Sequence, residues 1–418
     1  MLKLGEKIIS DIYLGNKKIA KVFLGDKLVY QSGKPIFLDY IKSTGTQYID
    51  TGIKGTDITR FVVKGTCLPD GQNNSQFLGG TQSSAYTFFG ARYRTAEMKT
   101  NWYCMNSTGD SLGDPSHLSI IEATIESKTS QYGTLTDLVD GSVKEFVKFS
   151  TSQWGFPNEN LLLFGGDSQR RSPNATCYML QLYTKDGLVR DLRPCIDPKG
   201  VVCMYDMVTK KYYYNQGTGT LTAGNIIKFV DYIENTSGAY IDTGLKPSYD
   251  YTYKIKYQYT NLSKTFNPIF GMRTSAVGTG NNLFWAGMHY TYKQAYLRFG
   301  GNSVNHTLGD KALDVIEMTC SPEGIFINGE DTGARYFDGE ITPEAKPVYL
   351  FTINNQYGAD GGLGETNAKV YSYQVFDGDV NLIQDLRPCI VAGEACFYDM
   401  VTGKIFTNAG TGTLGYTE

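Results

Sequence analysis

The chain has 418 residues, of which 41% are hydrophobic and 19% charged, with 47 Gly, 31 Tyr and 21 Phe. That length exceeds what a single core fills, and the mix of turn formers with β-preferring aromatics points to several all-β units. A formal net charge of -3 with scattered Lys and Arg excludes the basic stripe of a nucleic-acid binder, no long apolar run offers membrane insertion, and eight cysteines are too sparse for a disulfide scaffold.

The first 34 residues tick with a ten-residue period: Leu4-Gly5-Glu6-Lys7 returns as Leu14-Gly15-Asn16-Lys17 and as Leu24-Gly25-Asp26-Lys27. Gly followed by an acid or amide suits the two central positions of a tight hairpin, so the segment 1–34 reads as a short β-meander. Such a ribbon buries too little surface to stand alone. It must lean on the next domain, on copies of itself in a homo-oligomer, or on a larger particle. In the docking reading Gly5, Gly15 and Gly25 make the turns, and Tyr13 and Phe23 supply apolar contacts. Lys3, Lys7, Lys17, Lys18, Lys21 and Lys27 fit equally well as protection of exposed strand edges. The opening, MLKLGEKIIS, has no apolar stretch of the secretory kind, so neither export by ordinary routes nor membrane anchoring is expected.

A much longer repeat follows. FLDYIKSTGTQYIDTG, from Phe37, reappears 192 residues later as FVDYIENTSGAYIDTG, from Phe229, with ten of sixteen positions identical. The far ends match as well: DLRPCIDPKGVVCMYDMVTKKYYYNQGTGTLTAG from Asp191 returns as DLRPCIVAGEACFYDMVTGKIFTNAGTGTLGY from Asp385. A whole domain is duplicated, and the chain divides into 1–34, 35–225 and 226–418.

Between the matching ends the chemistry is that of strands. SIIEATIES alternates so that Ile121, Ala123 and Ile125 face one way and Glu122, Thr124 and Glu126 the other. Asp140-Gly141 and Asn328-Gly329 are pairs that tolerate positive φ in two-residue hairpins. Many short strands with such turns, in units of this length, predict two-sheet sandwiches.

The order YIDTG, an aromatic-Gly strand pair, an Ile-Asn-Gly hairpin, the LLLFGG strand and a last strand ending in Asp-Gly resembles concanavalin-A-like, or laminin-G-like, jelly rolls. The tail DLRPC…YDMVTxKxYxNxGTGT is similar to a variant common in virion proteins of tailed bacteriophages and prophages. The resemblance covers residues 36–418. It implies two tandem jelly-roll sandwiches on a virion structural protein, a tail fibre, head fibre or other appendage assembled in the host cytoplasm, with the N-terminal segment meeting other virion proteins.

The resemblance also raises two kinds of chemistry. Some enzymes of this fold cleave β-glucans with two carboxylates on one strand face, and the nearest match is Glu122 with Glu126. The second copy has Glu317, Thr319 and Ser321 at the corresponding places, so one acid is lost and no catalytic residue is assigned. Jelly-roll lectins instead hold glycans with an aromatic ring, Asn/Asp side chains and sometimes calcium. Candidate sets are Trp102 with Asn106, Trp154 with Asn158, and Tyr357 with Asn354, Asn355 and Asp360, each aromatic having core packing as its alternative.

Other groups point to structure. His117, His289 and His306 do not occupy matching places in the two copies. The stretches NQGTGTLTAG and NAGTGTLG lack the Lys of a phosphate loop and read as closing hairpins. Arg193 and Arg387, repeated with Asp206 and Asp399, suggest an ion pair of the Arg193–Asp206 type that fixes the last strands. Cys195/Cys203 and Cys389/Cys396 each flank a turn; free thiols are the default, and a bridge within either pair after exposure to an oxidising medium is the alternative. No motif specifies a metal or cofactor; the lectin resemblance leaves room for calcium without a motif for it. The expectation is a non-enzymatic virion protein that adheres to host-surface or environmental polysaccharide. A depolymerase of the same fold and an architectural decoration without ligand are the alternatives.

Overall fold

The computed structural model of the chain describes residues 34–68, 74–80, 88–94, 99–104, 111–127, 132–138, 141–146, 158–165, 174–236, 238–262, 265–274, 283–299, 302–335, 346–355, 366–378 and 381–417, and six short strands within 1–33. Ile121, Ala123 and Ile125 are buried on the Ser119–Ser127 strand, while Glu122 and Thr124 stay half-exposed. The alternation thus becomes a strand with one face in a core. Two compact units form, residues 1–227 and 228–418.

In the first unit the larger sheet runs, in spatial order, Val143–Phe146, Tyr132–Asp137, Ser119–Ser127, Ile58–Leu68, Asn174–Thr184, Gly187–Ile196, Val202–Asp206 and Tyr212–Tyr213, with all pairings antiparallel. The register aligns Asp137, Ile121, Val63, Leu180, Leu192 and Asp206 in one row across six strands. Facing it is a second sheet in the order Ser111–Leu112, Lys99–Cys104, Phe88–Arg94, Asn74–Gly79, Asn160–Leu163 and Ile49–Lys54. Phe61, Val63, Leu180 and Leu182 from the first sheet and Phe77, Phe89, Trp102 and Leu163 from the second share one core. This is an antiparallel jelly-roll sandwich, and burying both inner faces is what makes each stable.

The second unit repeats the plan. Its larger sheet centres on Tyr251–Tyr259, flanked by Ile316–Ser321 and Ala368–Asp377, and a row Ile327, Met318, Ile255, Tyr373, Leu386 and Asp399 crosses it. The smaller sheet contains Phe266–Arg273, Leu283–His289, Gln294–Phe299 and Asn302–Thr307. Asn328 and Gly329 both have positive φ, 52° and 82°, between paired Ile327 and Glu330, which is the two-residue hairpin the Asn-Gly pair predicts.

At the N-terminus, Lys3–Leu4 pairs with Lys7–Ile8, Ile12–Leu14 with Lys17–Ile19, and Lys21–Leu24 with Lys27–Gln31, each pair a two-stranded sheet of its own. Tyr13 lies in the third of these strands and Phe23 in the fifth. Gly5, Gly15 and Gly25 lie outside the described residues. Among the described residues no helix is long and apolar enough to cross a membrane.

Candidate functional site

The residues that recur in both copies form joints. Period two puts Asp191 and Arg193 on one face of the Gly187–Ile196 strand, and Arg193 Nε donates to Asp191 Oδ1 at 2.7 Å and its Nη2 to Oδ2 at 3.1 Å. Asp206 stands opposite Leu192, on the other face, so the expected Arg193–Asp206 pair does not form. The same arrangement recurs at Arg387, whose Nε is 2.7 Å from Asp385 Oδ1. Burial pushes the carboxyls of Asp191 and Asp385 above the usual carboxylate range even with Arg193 and Arg387 beside them.

Asp206 is fully buried and holds a turn together: Oδ1 accepts the backbone N–H groups of Asp191 and Val208 at 3.0 Å, and Oδ2 accepts the Thr209 hydroxyl at 2.6 Å. Asp399 repeats this with Asp385, Val401 and Thr402. The glycine-rich tails are not hairpins. Asn215 Oδ1 accepts the N–H of Tyr48 at 3.1 Å and of Gly217 at 2.9 Å, and Asn408 does the same for Tyr240 and Gly410. Each tail therefore clamps the YIDTG segment that opens its own domain. A Cβ at Gly217 would fall 2.0 Å from the Thr46 carbonyl oxygen, and one at Gly410 2.1 Å from that of Gly238, so only glycine permits the approach.

The sugar-binding residues expected from the sequence are not brought together. Trp102 is 0% exposed, stacked on Phe89 with centroids 4.8 Å apart and planes at 3°, and edge-on to Phe77 at 5.6 Å. It is a core residue, because its strand turns that side chain toward the facing sheet. Asn354 is 9% exposed and its Nδ2 donates to the Pro347 carbonyl at 2.9 Å, fastening a short strand whose Asn354 and Asn355 pair in parallel with Met272 and Arg273. Asn158 is exposed and accepts from Lys54 Nζ at 3.3 Å. Asn106, Trp154, Tyr357 and Asp360 lie outside the described residues. Glu122 is ion-paired to Arg60 at 3.2 Å on the outer face of the larger sheet, whereas Glu126 falls on a strand position whose side chain is outside the described residues. Among the described residues no three His, Cys, Asp or Glu side chains gather as a metal site would require.

A different set does converge. Across the smaller sheet of the second unit, the register aligns Asp242, Tyr349, Gly271, Trp285, Arg298 and Ser303. Phe284, Ala286 and Met288 belong to the core, so Trp285 and His289 project from the opposite face. There Trp285 stacks on Tyr296 at 4.9 Å, and Phe266 meets Trp285, Tyr296 and His289 edge-on at 5.5, 5.8 and 4.6 Å. Trp285 itself is 2% exposed and acts as the floor.

The cluster opens to solvent at the hairpin joining Leu283–His289 to Gln294–Phe299. Tyr290 is 50% and Tyr292 63% exposed, and the Tyr292 ring lies 4.7 Å from that of His289. Buried His289 Nδ1, beside Tyr292, and Arg298 Nε, further along the sheet opposite Trp285, have no hydrogen-bond partner among the described residues. An exposed ring resting on an imidazole, above an aromatic floor, is suited to a ligand with an apolar face and hydroxyls. The stretch FWAGMHYTYKQAYLRF carries this pattern openly, but the alternation alone does not say which face meets the core.

No family model matches the chain, and no curated protein matches it. Among solved structures, the chain is similar to the mouse laminin alpha1 chain, domains LG4-5, at 10% identity over 86% of this chain and 92% of that one, with a TM-score of 0.26. It is also similar to the LG1-3 region of the laminin alpha2 chain, at 8% identity over 94% of this chain and 70% of that one, with a TM-score of 0.28. Likeness at this distance says nothing of what the chain binds.

Proposed function

We propose that the chain is a non-enzymatic adhesion component of a phage virion, whose second sandwich binds polysaccharide at the Tyr290–Tyr292 hairpin and its aromatic floor. The observation that carries the binding reading is the ring of Tyr292, 63% exposed, resting on His289 at the open edge of the Phe266, Trp285 and Tyr296 cluster. The face of an exposed tyrosine ring offers a stacking surface for the apolar face of a sugar, and its hydroxyl a hydrogen bond. The virion reading is supported by the resemblance of the twice-repeated DLRPC…YDMVT…GTGT tail and by an N-terminal ribbon of two-stranded sheets, whose strand edges are templates for pairing.

The test is an array of bacterial surface polysaccharides probed with the full chain and with Tyr292→Ala. Binding without release of reducing ends, weakened about tenfold or more by the substitution, supports adhesion, a loss of ~1.4 kcal/mol or more. Turnover abolished by Glu122→Gln supports a depolymerase, and silence across the array supports a decoration. Deleting residues 1–33 is expected to leave a folded protein absent from purified particles; normal incorporation ends the docking role.

A further inference from the structure

Each sandwich carries a pair of thiols that no part of the binding reading uses. Cys195 and Cys203 face each other in register on adjacent antiparallel strands, with Sγ atoms 3.5 Å apart, and Cys389 and Cys396 repeat this at 3.4 Å. All four are free and buried. Directly opposed residues on antiparallel strands have Cα atoms roughly 4.5–5.5 Å apart, which lies inside the span of about 4.4–6.8 Å that a disulfide bridges. The two sulfurs need only close the remaining gap by side-chain rotation and a small strand adjustment. The register sets Cys67 across from Ala175, Cys177 across from Gly65, and Cys320 across from Tyr253 and Ile325.

The geometry points to twin oxidation sites: in the presence of a small-molecule disulfide, Cys195 bonds to Cys203 and Cys389 to Cys396, stapling the DLRPC strand to its neighbour in each sandwich. One thiol, deprotonated, attacks the small disulfide and expels one thiolate; the second thiol then attacks the mixed disulfide and expels the other. Overall, two protein thiols lose two electrons and two protons, and one oxidised glutathione becomes two reduced molecules. All four thiols are buried, and those of Cys195 and Cys389 are pushed well above the usual thiol range, the hydrogen bond to the partner sulfur being the largest cause and burial the next. Attack therefore waits on local opening of the strand pair, so the reaction is slow in the native fold and the bond is hard to reduce once closed.

The staple sits where it has most to hold. Asp206 and Asp399 cap the turns that follow Cys203 and Cys396, and the Asn215 and Asn408 clamps come next in the chain. A closed bridge ties that whole C-terminal portion of each domain to its central sheet.

The experiment incubates the full chain with oxidised glutathione, unfolds it in an alkylating agent, and maps the peptides. The expected result is two internal crosslinks, 195 to 203 and 389 to 396, each without two hydrogens, and alkylation at Cys67, Cys177 and Cys320. Because Lys199 lies between Cys195 and Cys203, trypsin leaves the first crosslink joining two peptides and the second within one. Cys203→Ser, at nearly unchanged volume, is expected to leave Cys195 alkylated or glutathionylated while 389 to 396 still closes. Recovery of all four cysteines alkylated after prolonged oxidation of the wild type, or crosslinks that scramble between the two pairs in the folded chain, overturns the inference.

Discussion

Replacing Asp206 by alanine tests whether the repeated tail motif is a structural joint. The carboxylate is 0% exposed and serves two backbone N–H groups at 3.0 Å and one hydroxyl at 2.6 Å. Without it the N–H groups of Asp191 and Val208 lose their acceptor, at ~1–3 kcal/mol for each buried donor left unpaired. Relief of a buried carboxylate offsets part of this, leaving about 2–4 kcal/mol of lost stability. For a sandwich of this size that corresponds to a Tm lowered by roughly 5–15 °C. Asp206→Asn keeps Oδ1 for both N–H groups, and the Thr209 hydroxyl can turn to the new amide, so it loses chiefly the charge facing Arg190 at 3.8 Å and its effect is about 1–2 kcal/mol, smaller than that of alanine. Asp399→Ala should likewise destabilise the second unit, because its hydrogen-bond partners match, although Gln384 stands there in place of Arg190, whose Nε lies 3.8 Å from Asp206 Oδ2. Differential scanning calorimetry of the three variants decides. If Asp206→Ala melts with the wild type, or if the asparagine variant is as damaged as the alanine one, the joint is not what holds these strands.

Gly217→Ala and Gly410→Ala drive a methyl group into a backbone carbonyl, so each is expected to lower stability by about 1–3 kcal/mol in urea titrations, with a neutral outcome contradicting the clamp. Trp102→Ala should remove about 3–5 kcal/mol of core packing and leave the polysaccharide binding proposed for the second unit untouched; a selective binding defect in a stable variant would return Trp102 to the sugar-binding set. The raised Asp385 carboxyl sets the sign of a pH effect: its contribution is full below the ordinary value of 3.8 and is lost as pH rises through the higher folded value. Asp385→Asn, which leaves the half-exposed Arg387 free to reach water, should therefore gain stability relative to the wild type as pH is raised from about 4 toward neutrality, measured by urea midpoints; a parallel pH profile would refute the raised carboxyl.

Much of the architecture was legible because it depends on local periodicity and self-similarity. SIIEATIES could only bury Ile121, Ala123 and Ile125 together, and Asn328-Gly329 could only turn tightly, whatever surrounded them. The recurrence of DLRPC and YDMVT showed that those residues matter twice, yet their spacing suggested the wrong partner for Arg193. Strand register, a property of two stretches of chain that the sequence does not align, put Asp206 across from Leu192 and left Asp191 on the arginine's face, where the two pair.

The amino-acid order by itself determined that the chain is all-β and that one domain plan occurs twice, since each follows from period or repetition; that glycine must stand in the tails was decided by the distant Thr46 and Gly238 carbonyls they approach. Which aromatics are floor, core or surface was decided only by tertiary structure. Trp102 and Trp285 both lie on alternating strands of a smaller sheet, but one faces the opposing sheet and the other faces away from the core. A strand shows the same alternation from either side, and only the second layer of the sandwich chooses which side becomes dry.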